Sequence, residues 1–164
     1  MIDRIKGWLR ESPIRVVVAM VLWTLLLLFG LIHQARADGP SLIVLGKSFH
    51  FGGNTNGLNG SNPGLGIEYA KGPWFVGGLT YYDSYRKQAA SAYVGYRYTF
   101  FTEGEWRAFA SLRGGYIHGS GFNGPMVLPT VGITYKHASL EVMYIPKVSN
   151  STVNVIGLFG RWEF

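Results

Sequence analysis

Asp83 and Ser84 stand side by side in the segment YYDSYRK, residues 81–87. An acid beside a hydroxyl is a pair that hydrolases and transferases use, and a histidine acting as general base would complete a minimal acyl-transfer set. Asp and Ser are also common turn residues, so a plain chain reversal is the alternative. The histidines beyond residue 37 are His50, His118 and His137. Whether Asp83 and Ser84 are catalytic residues or only turn residues depends on the elements that position them.

The first 37 residues have the pattern of a secretory signal peptide. Four basic residues precede an apolar run over residues 16–32, and Ala35-Arg36-Ala37 follows it. A positive flank, an apolar core and an A-x-A site in that order predict cleavage after Ala37. Residues 38–164 then form the mature domain. An uncleaved anchor is the alternative, because the run approaches membrane-spanning length.

Charge and cysteine content exclude several classes of function. Removing residues 1–37 takes away five of 15 basic and two of nine acidic residues, which leaves a net charge of +3. No basic run remains, so nucleic-acid binding is not indicated. The chain has no cysteine, which excludes a disulfide framework and a thiolate metal site.

The mature chain alternates with a period of two, as β-strands do. In residues 91–101, Ala92, Val94, Tyr96, Tyr98 and Phe100 share one face, and Arg97 lies on the other. Residues 106–116 repeat this pattern, with Arg107 and Arg113 opposite an apolar face. An apolar outside and a polar inside suit a barrel in lipid rather than a soluble sandwich.

Such runs number eight, and they predict an all-β fold: an eight-stranded antiparallel transmembrane β-barrel of the Gram-negative outer membrane. The connections at residues 71–73, 102–104 and 137 are tight, and they alternate with connections that are longer or richer in Gly, Asn and Ser, at 52–63, 83–87, 119–125 and 148–151. Short turns in these barrels are periplasmic. The aromatic residues near the strand ends are expected to form interfacial girdles: Trp74, Tyr82, Phe101, Trp106, Tyr116 and Trp162. Residues 159–164 carry aromatics two apart and end on Phe164, which is similar to the terminal strand of outer-membrane barrels. The predicted strands cover residues 41–52, 64–71, 73–83, 88–101, 105–118, 126–136, 138–147 and 152–164.

This topology collects the candidate groups at one rim. His50 falls near the outer end of the first strand, Asp83 and Ser84 at the outer end of the third, and His118 with Ser120 at that of the fifth. His137 falls in a periplasmic turn, where we expect a solvated surface role. An acid, a base and a hydroxyl at one rim are the groups that acyl transfer needs.

From about Leu45 to Phe164 the chain resembles the lipid A palmitoyltransferase (PagP) family of outer-membrane barrels. The resemblance rests on Val127-Leu128-Pro129, on Met143-Tyr144-Ile145-Pro146 and on the closing residues 159–164. It also rests on Asp83-Ser84-aromatic-x-Lys87, which matches the family's catalytic loop, and on Phe49-His50 at the top of the first strand.

The resemblance implies an enzyme that moves a palmitoyl chain from a glycerophospholipid to lipid A, as a monomer in the membrane and without metal or cofactor. It assigns His50, Asp83 and Ser84 as catalytic residues. His50 is the expected general base, Asp83 orients or stabilises it, and Ser84 is either nucleophile or oxyanion donor.

The resemblance also gives a substrate role to three further residues. Gly95 aligns with the glycine at the base of the family's acyl pocket, so we expect a slot there; a strand glycine that eases packing is the alternative. Pro129 and Pro146 sit inside strand patterns, where proline cannot donate to the ladder. In this family such weakened seams admit lipid, and a plain bulge is the alternative.

Two other functions stay open. His118-Gly119-Ser120 gives the His-x-Ser of lipid A deacylases, although Gly121 follows where those enzymes have Asn. A non-enzymatic barrel with a structural or adhesive role is the alternative from another class, since fold does not imply function.

Overall fold

The computed structural model describes residues 38–119, 121–147 and 153–164. Eight antiparallel strands close into a barrel in which each pairs with its sequence neighbours and β1 pairs with β8. None of the described residues belongs to a helix long and apolar enough to cross a membrane. The proposed signal peptide, residues 1–37, lies outside the described residues.

The strand bounds agree with the sequence prediction to within a few residues, and the fold class is confirmed. The prediction for one connection is wrong: residues 119–125 do not form a long loop, because the pairing of β5 with β6 continues to Gly119 and Phe122. The strands are β1 Gly39–Phe51, β2 Ser61–Lys71, β3 Trp74–Tyr82, β4 Gln88–Glu103, β5 Trp106–Gly119, β6 Phe122–Tyr135, β7 Ala138–Ile145 and β8 Asn154–Glu163.

One end of the barrel carries three two-residue turns, 72–73, 104–105 and 136–137. Their first residues have φ values of 56°, 56° and 54°. Gly72 and Gly104 adopt this left-handed region freely, whereas Lys136 adopts it against the preference of its side chain. Short turns mark the periplasmic end of such barrels, so loops 52–60 and 83–87 lie at the outer end.

The outer surface is apolar along its length and aromatic at its ends. The six aromatic residues expected to form the girdles are all between 46% and 59% exposed: Trp74, Tyr82, Phe101, Trp106, Tyr116 and Trp162. This surface faces lipid in a transmembrane barrel, and aromatic rings are favoured at both interfaces.

The periplasmic half of the lumen contains a network of buried charges. Glu141 pairs with Arg161 at 2.6 Å and with Arg113 at 2.9 Å, and Glu68 pairs with Arg97 and with Arg113. All five side chains are at most 3% exposed. Buried charges are tolerated when they are paired and hydrogen-bonded, and this network pairs them.

Aromatic rings complete the surroundings of the arginines. The Arg97 guanidinium lies 4.6 Å from the Phe75 ring centroid, and that of Arg113 lies 5.1 Å from the Phe159 ring. Cation–π contacts of this kind strengthen when water is excluded. The network thus joins five strands, β2, β4, β5, β7 and β8, across the lumen.

Glu141→Gln should destabilise the barrel by about 3–5 kcal/mol, because it leaves two buried guanidinium groups short of a counter-charge. The measurement is urea unfolding of the refolded barrel in detergent micelles. The matched control is Glu105→Gln, whose carboxylate forms an exposed pair with Lys136 at 3.4 Å. That variant should lose less than about 1 kcal/mol; equal losses would contradict the structural role of the network.

Candidate functional site

His50 and Ser84, which are 34 residues apart in the chain, meet at the outer rim. Nε2 of His50 lies 2.7 Å from Oγ of Ser84, and both residues are half-buried. When Nδ1 carries the ring hydrogen, Nε2 accepts a hydrogen bond from the Ser84 hydroxyl, which is the arrangement of an activated nucleophile. The structure thus brings together the base and the hydroxyl of the predicted set.

A bulge at Gly46 is what turns His50 into the lumen. Leu45 pairs with Phe159 and Lys47 with Leu158, so Gly46 is an extra residue on the β8 side. Before the bulge the odd-numbered residues Ser41 and Ile43 point inward; after it His50 does, and Phe49 is 58% exposed. Because successive strand residues face opposite sides, an unbulged strand would direct His50 into lipid.

Asp83 shapes the loop that presents Ser84. Its Oδ1 accepts the backbone N–H groups of Tyr85 and Lys87, each at 2.8 Å, and its side chain is 1% exposed. Its own N–H donates to the Lys87 carbonyl at 2.8 Å. These are the bonds of an Asx-type turn. The turn interpretation is therefore correct, and it is compatible with the predicted site, because Asp83 fixes the loop from which Ser84 reaches His50.

A buried amide holds the two sides of the site together. Nδ2 of Asn62 donates to the Tyr82 carbonyl at 2.9 Å, and Oδ1 of Asn62 accepts the hydroxyl of Ser48. The backbone N–H of Asn59 donates to the Ser84 carbonyl at 2.8 Å. Ser48 precedes His50 by two residues, so these bonds tie the histidine strand to the serine loop.

Below this pair lies a cavity of about 240 Å³ in the outer half of the barrel. His50 and Ser84 line its mouth together with Ser48 and Asn62. The walls are apolar, formed by Leu45, Leu79, Ile117, Met126, Leu128, Met143, Ile145 and Phe159. An apolar cleft with a few convergent polar groups is the usual form of a ligand site, and its small volume suits one narrow chain.

Gly95 does not line this cavity. A Cβ added there would lie 2.1 Å from Cζ of Phe75, so the Phe75 ring already fills the space that the glycine leaves. Tyr93 and Arg113 line the cavity and belong to the charge network, through Glu68 and Glu141. The base of the cavity therefore lies at Tyr93 and Arg113 instead of Gly95.

The cavity reaches the lipid-facing side at the seam between β6 and β7. The ladder between these strands runs from Tyr135–Ala138 to Thr130–Met143, and no described pair continues it. Pro129 is the next residue of β6, and Pro146 follows the end of β7 instead of lying inside the strand. Outward-facing Val127 lines the cavity together with Pro146. Proline cannot supply the missing ladder bonds, which explains why pairing stops.

The remaining candidates lie apart from this pair. His118 is exposed and pairs through its backbone with Ala90 and Asn123, and it is not among the cavity residues. Ser120 lies outside the described residues. His137 sits in a periplasmic turn as predicted, where Nδ1 is 3.1 Å from the Glu163 carbonyl. Among the described residues no cluster of His, Cys, Asp or Glu is arranged to hold a metal ion.

Sequence reasoning missed Gly46, Asn62 and the Tyr93–Arg113 base. The first has a signal: a glycine that interrupts alternating residues often marks a bulge. Asn62 sits in a stretch rich in Gly, Asn and Ser that reads as loop, and its burial follows only from the closed barrel. Arg113 was expected in the lumen, but its position at the base of the cavity was not, because its partners Glu68 and Glu141 lie on strands that are distant in the sequence.

No protein-family model matches the chain, and no curated protein matches it. Among solved structures, a de novo designed transmembrane β-barrel aligns with a TM-score of 0.50 at 9% identity, covering 80% of this chain and all of that one. The chain has the fold of an eight-stranded transmembrane β-barrel. The N-terminal β-barrel domain of Pseudomonas aeruginosa OprF (TM-score 0.49, 13% identity, 79% of this chain and 100% of that one) and Yersinia pestis Ail (0.42, 14%, 78% and 100%) are also similar.

Deleting Gly46 should leave His50 facing the lumen, because it removes the extra residue and keeps Leu45 opposite Phe159 and Lys47 opposite Leu158. The chain has no cysteine, so a short bifunctional thiol reagent can test this directly. In the parent chain, His50→Cys with Ser84→Cys should cross-link and Phe49→Cys with Ser84→Cys should not. In the deletion background the two results should stay the same if Gly46 is the extra residue of a bulge, and should exchange if it is a regular strand position, as mass spectrometry of the intact chain will show.

The control is the heat-dependent gel mobility of each variant, which reports whether the barrel has formed. A folded deletion variant in which Phe49→Cys, instead of His50→Cys, cross-links to Ser84→Cys would contradict the role assigned to the bulge.

Proposed function

We propose that this barrel is an acyltransferase that moves a palmitoyl chain from a glycerophospholipid to lipid A at the outer leaflet of the outer membrane. The observation that carries the proposal is the 2.7 Å contact between Nε2 of His50 and Oγ of Ser84 at the mouth of an apolar cavity. A base on a hydroxyl beside a chain-sized apolar slot is what transfer between two lipids requires.

In the proposed reaction His50 takes the proton of Ser84 as Oγ attacks the ester carbonyl of the donor. The bond from that carbonyl to the glycerol oxygen breaks, and His50 returns the proton to this oxygen. The acceptor hydroxyl then loses its proton to His50 and attacks the acyl-serine, which releases Ser84 with its proton restored. Asp83 acts as a positioning residue because its carboxylate fixes the loop.

The cavity supplies the site for the donor chain. Its apolar walls favour a hydrocarbon chain, and the charge network at Tyr93 and Arg113 ends it. The break in the β6–β7 ladder beside Pro129 and Pro146 gives lipid a lateral route to the same space. An enzyme acting on membrane lipids needs such a route, because its substrates do not enter from water.

Two other functions compete with this one. A structural or adhesive barrel is supported to a similar extent, because the fold and the charge network serve membrane insertion without any catalysis. A lipid A deacylase would use His118 and Ser120, and the exposure of His118 leaves it accessible to lipid. All three make different predictions for the lipid A of cells that produce the protein.

Cells that produce the protein should contain lipid A that is heavier by one palmitoyl group, measured by mass spectrometry. His50→Ala and Ser84→Ala should each lower the acylated fraction by at least about 100-fold, since general base and nucleophile contributions are of that order or larger. His118→Ala is the matched control, and it should acylate lipid A normally.

The controls separate the alternatives. Lipid A that has lost a chain, in a manner that depends on His118, would establish the deacylase. Unchanged lipid A despite a folded barrel in the outer membrane would leave the structural role. Full activity in both the His50→Ala and Ser84→Ala variants would refute the proposed site.

Ser91→Phe should shift the transferred chain towards shorter acyl groups. Ser91 faces the lumen on β4 and lines the cavity one inward position above Tyr93, so a ring there shortens the slot. The measurement is the length distribution of chains transferred from mixed phospholipids. Gly95→Ala is the control: it collides with Phe75 below the cavity, so it should lower stability without changing the chain length. A length shift in Gly95→Ala alone would place the base at Gly95.

A further inference from the structure

The exposed charges at the outer end of the barrel are all positive. Lys47, Arg86, Lys87 and Lys147 are exposed, and among the residues described there the one acid is Asp83, which is 1% exposed and bonded to backbone N–H groups. Residues 120 and 148–152 carry no charged side chain in the sequence. This set of four cations is called the basic rim below.

The periplasmic end differs. Asp38, Glu103 and Glu105 are exposed there beside Lys71 and Lys136, and Lys136 pairs with Glu105 at 3.4 Å. Within the described residues no carboxylate forms an ion pair with a side chain of the basic rim. The exposed charges are thus all positive at the outer end and mixed at the periplasmic end, and like charges held together in this way attract anions.

The basic rim surrounds the mouth of the cavity. Lys47 lines the cavity on β1, three residues before His50. Arg86 and Lys87 lie on the loop that carries Ser84, and Lys147 follows Pro146 at the open seam. The cations therefore flank both the reactive pair and the proposed lipid route.

The level of the basic rim in the membrane indicates which kind of partner it can bind. The exposed rings of Tyr82 and Tyr116 mark the outer interface, so cations just beyond them lie at the level of lipid headgroups. Lysine and arginine bind phosphate through charge-assisted hydrogen bonds, which are strongest where water is partly excluded. A phosphate fixed to an outer-leaflet lipid reaches this level without leaving the membrane.

We propose that the basic rim binds the phosphate groups of a glycolipid of the outer leaflet, and that this contact positions the lipid over the His50–Ser84 pair. The positioning rests on the proposed function, in which that glycolipid is the acyl acceptor. The binding does not, because it requires the cations but neither His50 nor Ser84.

The test is native mass spectrometry of the full barrel in a zwitterionic detergent, titrated with bis-phosphorylated lipid A or with the same lipid A after removal of both phosphates. The parent protein should bind the phosphorylated lipid at least about tenfold more tightly, as expected for several Lys and Arg contacts at a membrane surface. The double variant Arg86→Gln, Lys87→Gln should lose most of that preference. The matched control, Lys71→Gln with Lys136→Gln, removes two positive charges at the opposite end and should retain it.

A His50→Ala barrel separates this proposal from the proposed function, because it should bind phosphorylated lipid A like the parent while transferring no chain. Phosphate-dependent binding without any transferase activity would support the rim and refute the enzyme. Equal binding of both lipids by the parent, or equal losses in the rim and control variants, would overturn the rim. If Arg86→Gln, Lys87→Gln fails to form a heat-modifiable barrel, Lys47→Gln with Lys147→Gln tests the same prediction.

Discussion

Backbone hydrogen bonding in lipid is the constraint on which this structure depends. No water is present in the hydrocarbon layer to satisfy an exposed N–H or C=O group, so the sheet must close, and β1 pairs with β8 along ten residues. Closure fixes which side chains face lipid and which face the lumen. Two places where the ladder departs from this order, the Gly46 bulge and the β6–β7 seam, give the candidate site its properties.

The charge network and the cavity divide the lumen between stability and function. The five charged side chains of the network fill the periplasmic half, and their mutual pairing offsets the cost of removing them from water. The outer half lacks such a network and is lined by apolar residues instead. Tyr93 and Arg113 belong to both regions, so a single pair of side chains ends the cavity and completes the network.

The fold was predictable from the sequence because alternation with a period of two is local information, repeated in eight strands. The prediction of a long loop at residues 119–125 is wrong, because Gly119 already pairs with Phe122. Gly119 and Gly121 have φ values of 122° and 71°, which glycine adopts without strain. The rim position of His50, Asp83 and Ser84 followed from topology. The contact between His50 and Ser84 did not follow, because it depends on a parity change at Gly46, and a glycine inside alternating residues indicates a bulge without fixing which later residues turn inward. Gly95 was placed correctly in the lumen, but Phe75, from the neighbouring strand, decides what occupies its space.

Asp83 illustrates how a turn would serve the proposed catalytic chemistry at such a rim. A serine held on a flexible loop would lose its contact with the imidazole in most conformations, and each lost orientation weakens catalysis. The carboxylate removes that freedom by accepting two backbone N–H groups of its own loop, while Asn59 holds the Ser84 carbonyl. Burial at 1% exposure shields these bonds from competing water. The segment from Tyr81 to Lys87 therefore serves the site because it is a rigid turn, and the hydroxyl it presents needs that rigidity to stay 2.7 Å from His50.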